Sequence, residues 1–477
     1  MEQLQTDNSQ SPFSLAVQEN VAIVTINTSD SHFNLLHEDF IGHLRAVLGA
    51  VIYQKLQGLI FISAKQNNFI RGFNLAELEG KSPEQLEKFA EEAQLVMREI
   101  EQLKVPTVAA IHGDCYGVGL ELALACRIRI TTDDSHTLFA MPQVRSGLLP
   151  FCGGTQRLPR LIGLKDAAPL LLTGDKINVK KALELGLVDQ LTSKTGLKST
   201  ALSYILEKKG VKETQSKTAQ LWKKAKNFLE VTEFTRNQAL EKVQGSISLR
   251  AFDNYPAGET LMNVLKQTDP KLGLAAERAG LCSLFFTAQS RVLRHLEQTA
   301  RAMKLQYKAR GYGEECLHDI ENVAILGSGF LGAGIAYVTA YHAHLPVRIK
   351  DIHLNEIQKA LQRTATLLQR EMEQGNLSSG RMRQTMQLIS GGERFIGKPN
   401  ADFVIEAVYE DVALKRQMIR EAFDYFGENI VYATNTSTLS IAEIARDAPR
   451  PENVIGFHYF SPVAECKMLE IIPHAAS

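Results

Sequence analysis

The chain has 477 residues, 44% hydrophobic and 22% charged, a length that suggests roughly two to four domains of ordinary globular composition. Lys+Arg and Asp+Glu are balanced at 53 each, which argues against a globally basic nucleic-acid binder or a binder of anionic membranes. Six scattered cysteines form no CxxC pair, no apolar run approaches the ~20 residues of a membrane span, and the start "MEQLQTDNSQSPF" is not a signal peptide, so a reducing, cytoplasmic setting is expected, with no metal, nucleic acid or membrane span.

In chain order, "SLAVQENVAIVTIN" alternates as two short strands around a Gln18-Glu19-Asn20 turn. "GLIFISA" (Gly58 to Ala64) reads as a buried strand. "SPEQLEKFAEEAQLVMREIEQL" reads as a helix with Ser82 as N-cap and Pro83 at the first helical position. A strand, "VPTVAAIHG", and a glycine turn opening a helix, "DCYGVGLELALACRIRITT", follow. This α/β rhythm runs to about Thr192. From about Leu197 to Leu305 the pattern is helical, with too many large apolar residues for a solvated linker, and is expected to pack on both neighbours. A new α/β unit begins at Glu321. The expected domains are 13–196, a connector over 197–318, and 319–477.

"MPQVRSGLLPFCGGTQRLPR" (Met141 to Arg160) carries three arginines and no carboxylate. Gly153 and Gly154 permit a tight turn. Thr155 lies near a helix start, where N–H groups are expected to be free. The arginines are candidates either for an anionic ligand or for a solvated basic face.

The strongest motif is "VAILGSGFLGAG". Gly327, Gly329 and Gly332 stand in GxGxxG spacing between a β-branched strand and an apolar helix, and Asp351 ends the next strand 19 residues past the third glycine. Gly327 serves the tight turn, Gly329 lets a pyrophosphate approach the backbone, and Gly332 permits close helix–strand packing. A diphosphate there would meet the helix N-terminus. Asp351 would accept from the adenosine ribose and repel a 2′-phosphate, so the expected cofactor is NAD. His458 ends a later strand, where it could exchange the proton that accompanies hydride transfer from an alcohol.

"GSGFLGAGIA", "KDI", "FVIEAVYEDVALK", "ATNTSTLSI" and "GFHYFSPV" together resemble the NAD-binding domain of 3-hydroxyacyl-CoA dehydrogenase. The resemblance implies that His458 is the catalytic base and that Glu470, in "KMLEII", is its acidic partner. It implies that Ser437 contacts the substrate 3-oxygen and that Glu410 and Lys415 lie on the cofactor side. Ser461 stands where the family usually has Asn. Seven residues follow Glu470, whereas the family continues into a helical domain that closes the substrate pocket. The chain is therefore expected to be C-terminally truncated relative to that family.

The N-terminal part resembles the crotonase (enoyl-CoA hydratase/isomerase) superfamily through "FIRGFNLAEL", "AAIHGDCYGVGLELALACRIRI" and "FAMPQVRSGLLPFCGGTQRLPRLIG". Crotonase domain, helical connector and dehydrogenase domain follow the order of the multifunctional fatty-acid oxidation α-subunit. The fold implied is α/β, a crotonase-like ββα superhelix followed by a connector and a Rossmann-type domain. The substrates implied are coenzyme A thioesters, and the implied partners are a thiolase subunit or further copies of the chain. The arginines of Met141 to Arg160 become candidates for CoA phosphates.

In that superfamily two backbone N–H groups hold the thioester oxygen, and the matching positions are Phe73 and Val118. Val118 replaces the middle glycine of a GGG run, and Phe73 is expected to crowd the thioester. Hydration uses two glutamates around one water. Glu121 matches the first, and Gln143 stands in place of the second. An amide can hold a water but cannot act as general acid or base near neutral pH. Hydratase activity is therefore expected to be weak or lost. Two functions stay open: a β-oxidation enzyme that oxidises 3-hydroxyacyl-CoA with NAD, and a non-catalytic acyl-CoA/NAD-binding scaffold or inactive truncated relative.

Overall fold

The computed structural model describes residues 11–29, 33–134, 136–207, 233–246, 255–309, 320–373, 377–395, 401–466 and 468–477. Residues 208–232, 247–254 and 310–318 of the expected connector lie outside the described residues. The chain divides into two compact units, Met1–Arg310 and Gly311–Ser477.

The first unit opens with β1 (Phe13–Gln18) and β2 (Val21–Ile26), paired antiparallel. Glu19 and Asn20 both take positive φ, 51° and 61°, in the two-residue turn whose twist matches the flanking strands. There follow α1 (Phe40–Tyr53), β3 (Leu59–Ser63), β4 (Asn68–Ile70) and α2 (Pro83–Gln102). As the sequence predicts, Ser82 caps α2, and Gln85 closes a reciprocal capping box with it. Next come β5 (Thr107–Ile111), β6 (Asp114–Tyr116), α3 (Val118–Ala125), β7 (Ile128–Thr132) and β8 (Leu138–Ala140). The α/β part ends with α4 (Gly154–Ile162), α5 (Leu164–Thr173), β9 (Ile177–Asn178), α6 (Val179–Leu185), β10 (Gln190–Thr192) and α7 (Leu197–Leu206).

These strands form a six-stranded sheet, β1-β2-β3-β5-β7-β10, parallel after the opening hairpin, and a small sheet, β4-β6-β8-β9. β5 and β7 are buried along their whole length; β5 is apolar after Thr107, and in β7 the buried Arg129 is satisfied by Asp189 and by the Leu187 and Cys126 carbonyls. Four further helices, α8 (Glu233–Ser246), α9 (Pro256–Lys266), α10 (Pro270–Phe285) and α11 (Ala288–Ala309), pack on this unit. Their apolar residues Leu261, Leu265, Leu281 and Leu284 join the same core as Phe40, Phe61 and Leu158.

The second unit contains β11 (Val323–Leu326), α12 (Phe330–His342), β12 (Val347–Lys350), α13 (Leu354–Glu373), α14 (Ser379–Gln387) and β13 (Ile389–Gly392). It continues through β14 (Phe403–Glu406), α15 (Val412–Phe426), β15 (Val431–Thr434), α16 (Ile441–Ala445), β16 (Val454–Tyr459) and β17 (Leu469–Ile472). The sheet order is β13-β12-β11-β14-β15-β16-β17, parallel except for the last pair. This is the doubly wound dinucleotide order, and its switch point lies between β11 and β14, where ligands of such sheets bind. Among the described residues no helix is long and apolar enough to cross a membrane, and no group of three or more His, Cys, Asp or Glu side chains could hold a metal.

Candidate active sites

In the second unit Gly327 has φ +98°, and a Cβ there would lie 2.6 Å from Ala407 O. A Cβ on Gly332 would lie 2.0 Å from Gly327 O, whereas one on Gly329 would meet nothing within 4 Å. The first and third glycines are thus fixed by backbone crowding, and the second faces the open space that a pyrophosphate needs. Asp351 Oδ2 is already engaged, accepting from Ser328 N (2.7 Å) and Ser328 Oγ (2.6 Å). Partial burial opposes ionisation, yet these bonds and the amides of His353 and Ile352 hold its carboxyl below the ordinary range.

The antiparallel pairing of β16 with β17 sets His458 directly opposite Glu470. His458 Nδ1 lies 2.7 Å from Glu470 Oε2, and Nε2 lies 3.2 Å from Ser437 Oγ in the loop after β15. Three residues predicted from separate motifs therefore form one chain of contacts. With Nδ1–H donated to the carboxylate, Nε2 is the lone-pair nitrogen at the carboxyl end of the sheet.

Glu410 Oε1 accepts from the Ser437 and Thr438 amides at 3.1 and 3.4 Å and also from the Thr436 hydroxyl, so it fixes the loop that carries Ser437. Lys415 corrects the sequence expectation. Its side chain is fully buried, and Nζ is held by Glu406 Oε1 (2.8 Å), Asn435 O (2.7 Å) and Glu410 Oε2 (3.5 Å). It holds Glu410, and through it the Ser437 loop, from below. Burial pushes the Glu406 carboxyl up in spite of the Lys415 charge. Lys415→Met leaves that carboxylate buried and unpaired. The expected loss is about 3–5 kcal/mol in urea unfolding of this unit at neutral pH, shrinking as acid protonates Glu406.

In the first unit Gly117, at φ +52°, caps α3 and places Val118 at its first turn. A Cβ built on Gly117 lies 3.8 Å from Gly72 Cα and 3.3 Å from Gln143 Nε2, so the two expected oxyanion segments and Gln143 adjoin. The bridge from Leu36 uses Gly72 O and Asn74 N, leaving the Phe73 N–H on the other side, and the Val118 N–H precedes the first intrahelical acceptor. The Phe73 ring is turned into an aromatic cluster with Phe40, Phe89 and Phe151, at centroid distances of 6.2, 5.4 and 5.6 Å. It fills apolar volume that the sequence reading assigned to crowding of the thioester.

Glu121, on α3, is fully buried. Its Oε1 accepts from Cys152 N and Gly154 N, each at 2.8 Å, and its Oε2 lies 3.3 Å from Gln143 Nε2. Gln143 Oε1 is buried with no hydrogen-bond partner. Desolvation and the nearby Glu277 push the Glu121 carboxyl up to about 8, against the pull of the two amides and Arg157.

The α4 N-terminus overturns a second expectation. Its N–H groups are not free: Glu121 takes Cys152 N and Gly154 N, and Glu277, from α10, takes Gly153 N (2.7 Å) and Thr155 N (3.1 Å). The loop arginines are also engaged internally. Arg145 pairs with Asp175, while Arg157 and Arg160 share Glu101. Arg157 is buried, whereas Arg145 and Arg160 stay exposed beside their partners, so the solvated-face reading holds for those two.

Residues 16–248 match the enoyl-CoA hydratase/isomerase family, and residues 322–477 match the NAD-binding domain of 3-hydroxyacyl-CoA dehydrogenase. The chain thus matches a hydratase-type family and a dehydrogenase-type family in turn. Three solved structures illustrate the likeness. A 3-hydroxybutyryl-CoA dehydrogenase from Escherichia coli is 29% identical over 34% of this chain and 34% of its own, with a TM-score of 0.32. An (S)-3-hydroxybutyryl-CoA dehydrogenase from Ralstonia eutropha is 31% identical over 32% and 54%, with a TM-score of 0.31. An enoyl-CoA hydratase from Bacillus anthracis is 23% identical over 61% and 97%, with a TM-score of 0.39. The chain thus spans about a third and about half of the two dehydrogenases it matches.

The match over residues 322–477 is to a domain family described as NAD-binding. The dehydrogenase-type unit offers a direct test of its glycine turn. Gly332→Ala is expected to cost about 3 kcal/mol of unfolding free energy, because its neighbour is backbone. Gly329→Ala is expected to leave stability within about 1 kcal/mol and to weaken NAD binding, as read by calorimetric titration. Two polar residues escaped sequence reasoning. Glu406 closes the buried run "FVIE", a charge at the end of an apolar strand. Glu277 falls on the buried stripe of α10 with Gly273, Gly280, Leu281 and Leu284, and a charge in an apolar stripe is a readable signal.

Proposed function

We propose that this chain oxidises 3-hydroxyacyl-CoA to 3-oxoacyl-CoA with NAD at the His458 site, while its hydratase-type site hydrates 2-enoyl-CoA weakly or not at all. The observation that supports the first part is the contact chain Ser437–His458–Glu470 at the carboxyl end of the sheet. Bound NAD would supply the hydride acceptor. His458 Nε2 would take the proton of the substrate 3-hydroxyl, and Glu470 would hold the ring and balance the imidazolium charge. Ser437 Oγ would donate a hydrogen bond to the same substrate oxygen. Glu410 would keep the Ser437 loop in register, with Lys415 holding Glu410 in turn.

Supporting the second part, Glu121 faces an amide at 3.3 Å where hydration needs another carboxyl group. Phe73 N–H and Val118 N–H would receive the thioester oxygen. The amide in place of a second carboxyl group favours a site that binds acyl-CoA better than it turns it over, so a binding role of the first unit is the second reading. The proposed partner is a thiolase subunit or another copy of the chain, and the proposed compartment is the cytoplasm. Native mass with and without added thiolase tests the partner. NADH formation from 3-hydroxybutyryl-CoA tests the main reading, and turnover no higher than that of a His458→Ala chain would sink it.

A further inference from the structure

The hydratase-type site contains a second carboxyl group that comes from outside its α/β part. Glu277 and Glu121 are both fully buried, and they take the α4 amides alternately: Glu121 accepts from 152 and 154, Glu277 from 153 and 155. A Cβ on Gly154 would lie 2.8 Å from Glu121 Oε1, so glycine is what allows this approach.

We propose that Glu277 is a positioning residue of this site, which makes the two carboxyl groups share a single proton and leaves that proton on Glu121. The inference rests on the reading of Glu121 as the site's acid–base group.

Two adjacent buried carboxylates cannot both ionise at ordinary cost, because each desolvates and repels the other. The positive end of α4 and Arg157 compensate one negative charge. Hydrogen bonding decides which group keeps it. Glu277 accepts four donors, Gly153 N, Thr155 N, Thr155 Oγ1 (2.5 Å) and Gln94 Nε2 (2.9 Å). Glu121 accepts two short amide bonds on one oxygen, and its other oxygen has only the long Gln143 contact. The charge therefore settles on Glu277. The proton settles on Glu121 Oε2, where the partnerless Gln143 Oε1 can accept it after an amide flip. The surrounding charges are Arg157 on α4, bound to Glu101 of α2, and Arg278 on α10, bound to Gln94. The Cys152 thiol is pushed far up by burial and stays neutral. Burial likewise pushes both carboxyl groups above the ordinary 4.5. At neutral pH Glu121 is then an acid, and it becomes a base for water only as pH rises towards 8.

Stability provides a test that needs no turnover. Between pH 4.5 and 8 the unfolded chain has released the shared proton and the folded chain has not. The folding constant of the first unit should therefore fall by about tenfold per pH unit across this window and level off above it. Urea unfolding read by pulsed hydrogen exchange on the α3 and α4 peptides follows this unit alone. His112, whose pKa burial lowers, titrates in the same window with opposite sign. It is common to all variants, so the difference from wild type is decisive. Glu277→Gln should remove most of the fall. Where that chain does not fold, Glu121→Gln should remove it instead. A wild-type profile as flat as the variant's, or a slope unchanged in the foldable variant, overturns the proposal. A second arm sets Glu277→Gln in a Gln143→Glu background and follows crotonyl-CoA hydration, whose basic limb should move down by at least one pH unit. No hydration in either chain defeats the hydratase reading, while the stability arm still decides the shared proton.

Discussion

Replacing His458 by alanine is expected to lower NADH formation from 3-hydroxybutyryl-CoA by about 10²–10⁴-fold, the usual worth of a general base. Nothing else among the described neighbours can substitute. Ser437 is an alcohol, and Glu470 lies behind the ring on the Nδ1 side. The loss should appear in kcat with little change in the affinity for NAD, because the glycine turn and Asp351 sit at a different edge of the sheet switch point. Glu470→Gln keeps an acceptor for Nδ1–H but removes the charge that stabilises the imidazolium, so its loss should be smaller, on the order of tenfold or more. Ser437→Ala removes one neutral hydrogen bond and should cost about tenfold or less. The ordering His458, Glu470, Ser437 is the result to check. Equal and negligible effects at all three positions would leave the contact chain structural.

Gln143→Glu is expected to raise crotonyl-CoA hydration by a comparable ~10²–10⁴-fold, since it restores the one titratable group the site lacks. The backbone donors need no change: the Phe73 and Val118 amides stand free of the bridge and the helix ladder. The new carboxyl would meet Glu121 across the present 3.3 Å contact. Protonated, the Glu121 oxygen can donate to it, which is the arrangement that hydration needs before water enters. Chains with and without the substitution should bind crotonyl-CoA similarly, so the gain should fall in kcat and not in KM. Persistent silence with binding retained would assign the first unit to acyl-CoA binding alone. Loss of binding would point instead to the packed Phe40, Phe73, Phe89 and Phe151 rings as a closed pocket.

Much of the dehydrogenase-type site was legible because its parts are local. Gly327, Gly329 and Gly332 lie in one turn, and each has a steric reason visible in the motif. His458 and Glu470 lie only 12 residues apart, on the two strands of one antiparallel pair. Lys415 was misplaced because its role depends on burial. A lysine on an amphipathic helix gives no sign that its ammonium ends in a fully enclosed pocket beside Glu406. The helix start within Met141 to Arg160 was misread for the same reason. Its amides look open in the sequence until Glu121 and Glu277 arrive from other parts of the chain.

The sequence by itself determined the local conformations and the chemical inventory: the glycine turns, the apolar strands, the capped helix at Ser82, the dinucleotide fingerprint and the Gln143 substitution. Each depends on residues within one turn, strand or helix, where sterics and periodicity act at short range. Only the tertiary structure decided which charges are compensated. Glu277 reaches the α4 amides across more than 120 residues of chain, and Lys415 meets its partners at the ends of three different elements. A buried charge is fixed by the donors and acceptors that surround it, and those are assembled by folding. The protonation state of the hydratase-type site is accordingly a property of the fold, although every atom of it is written in the chain.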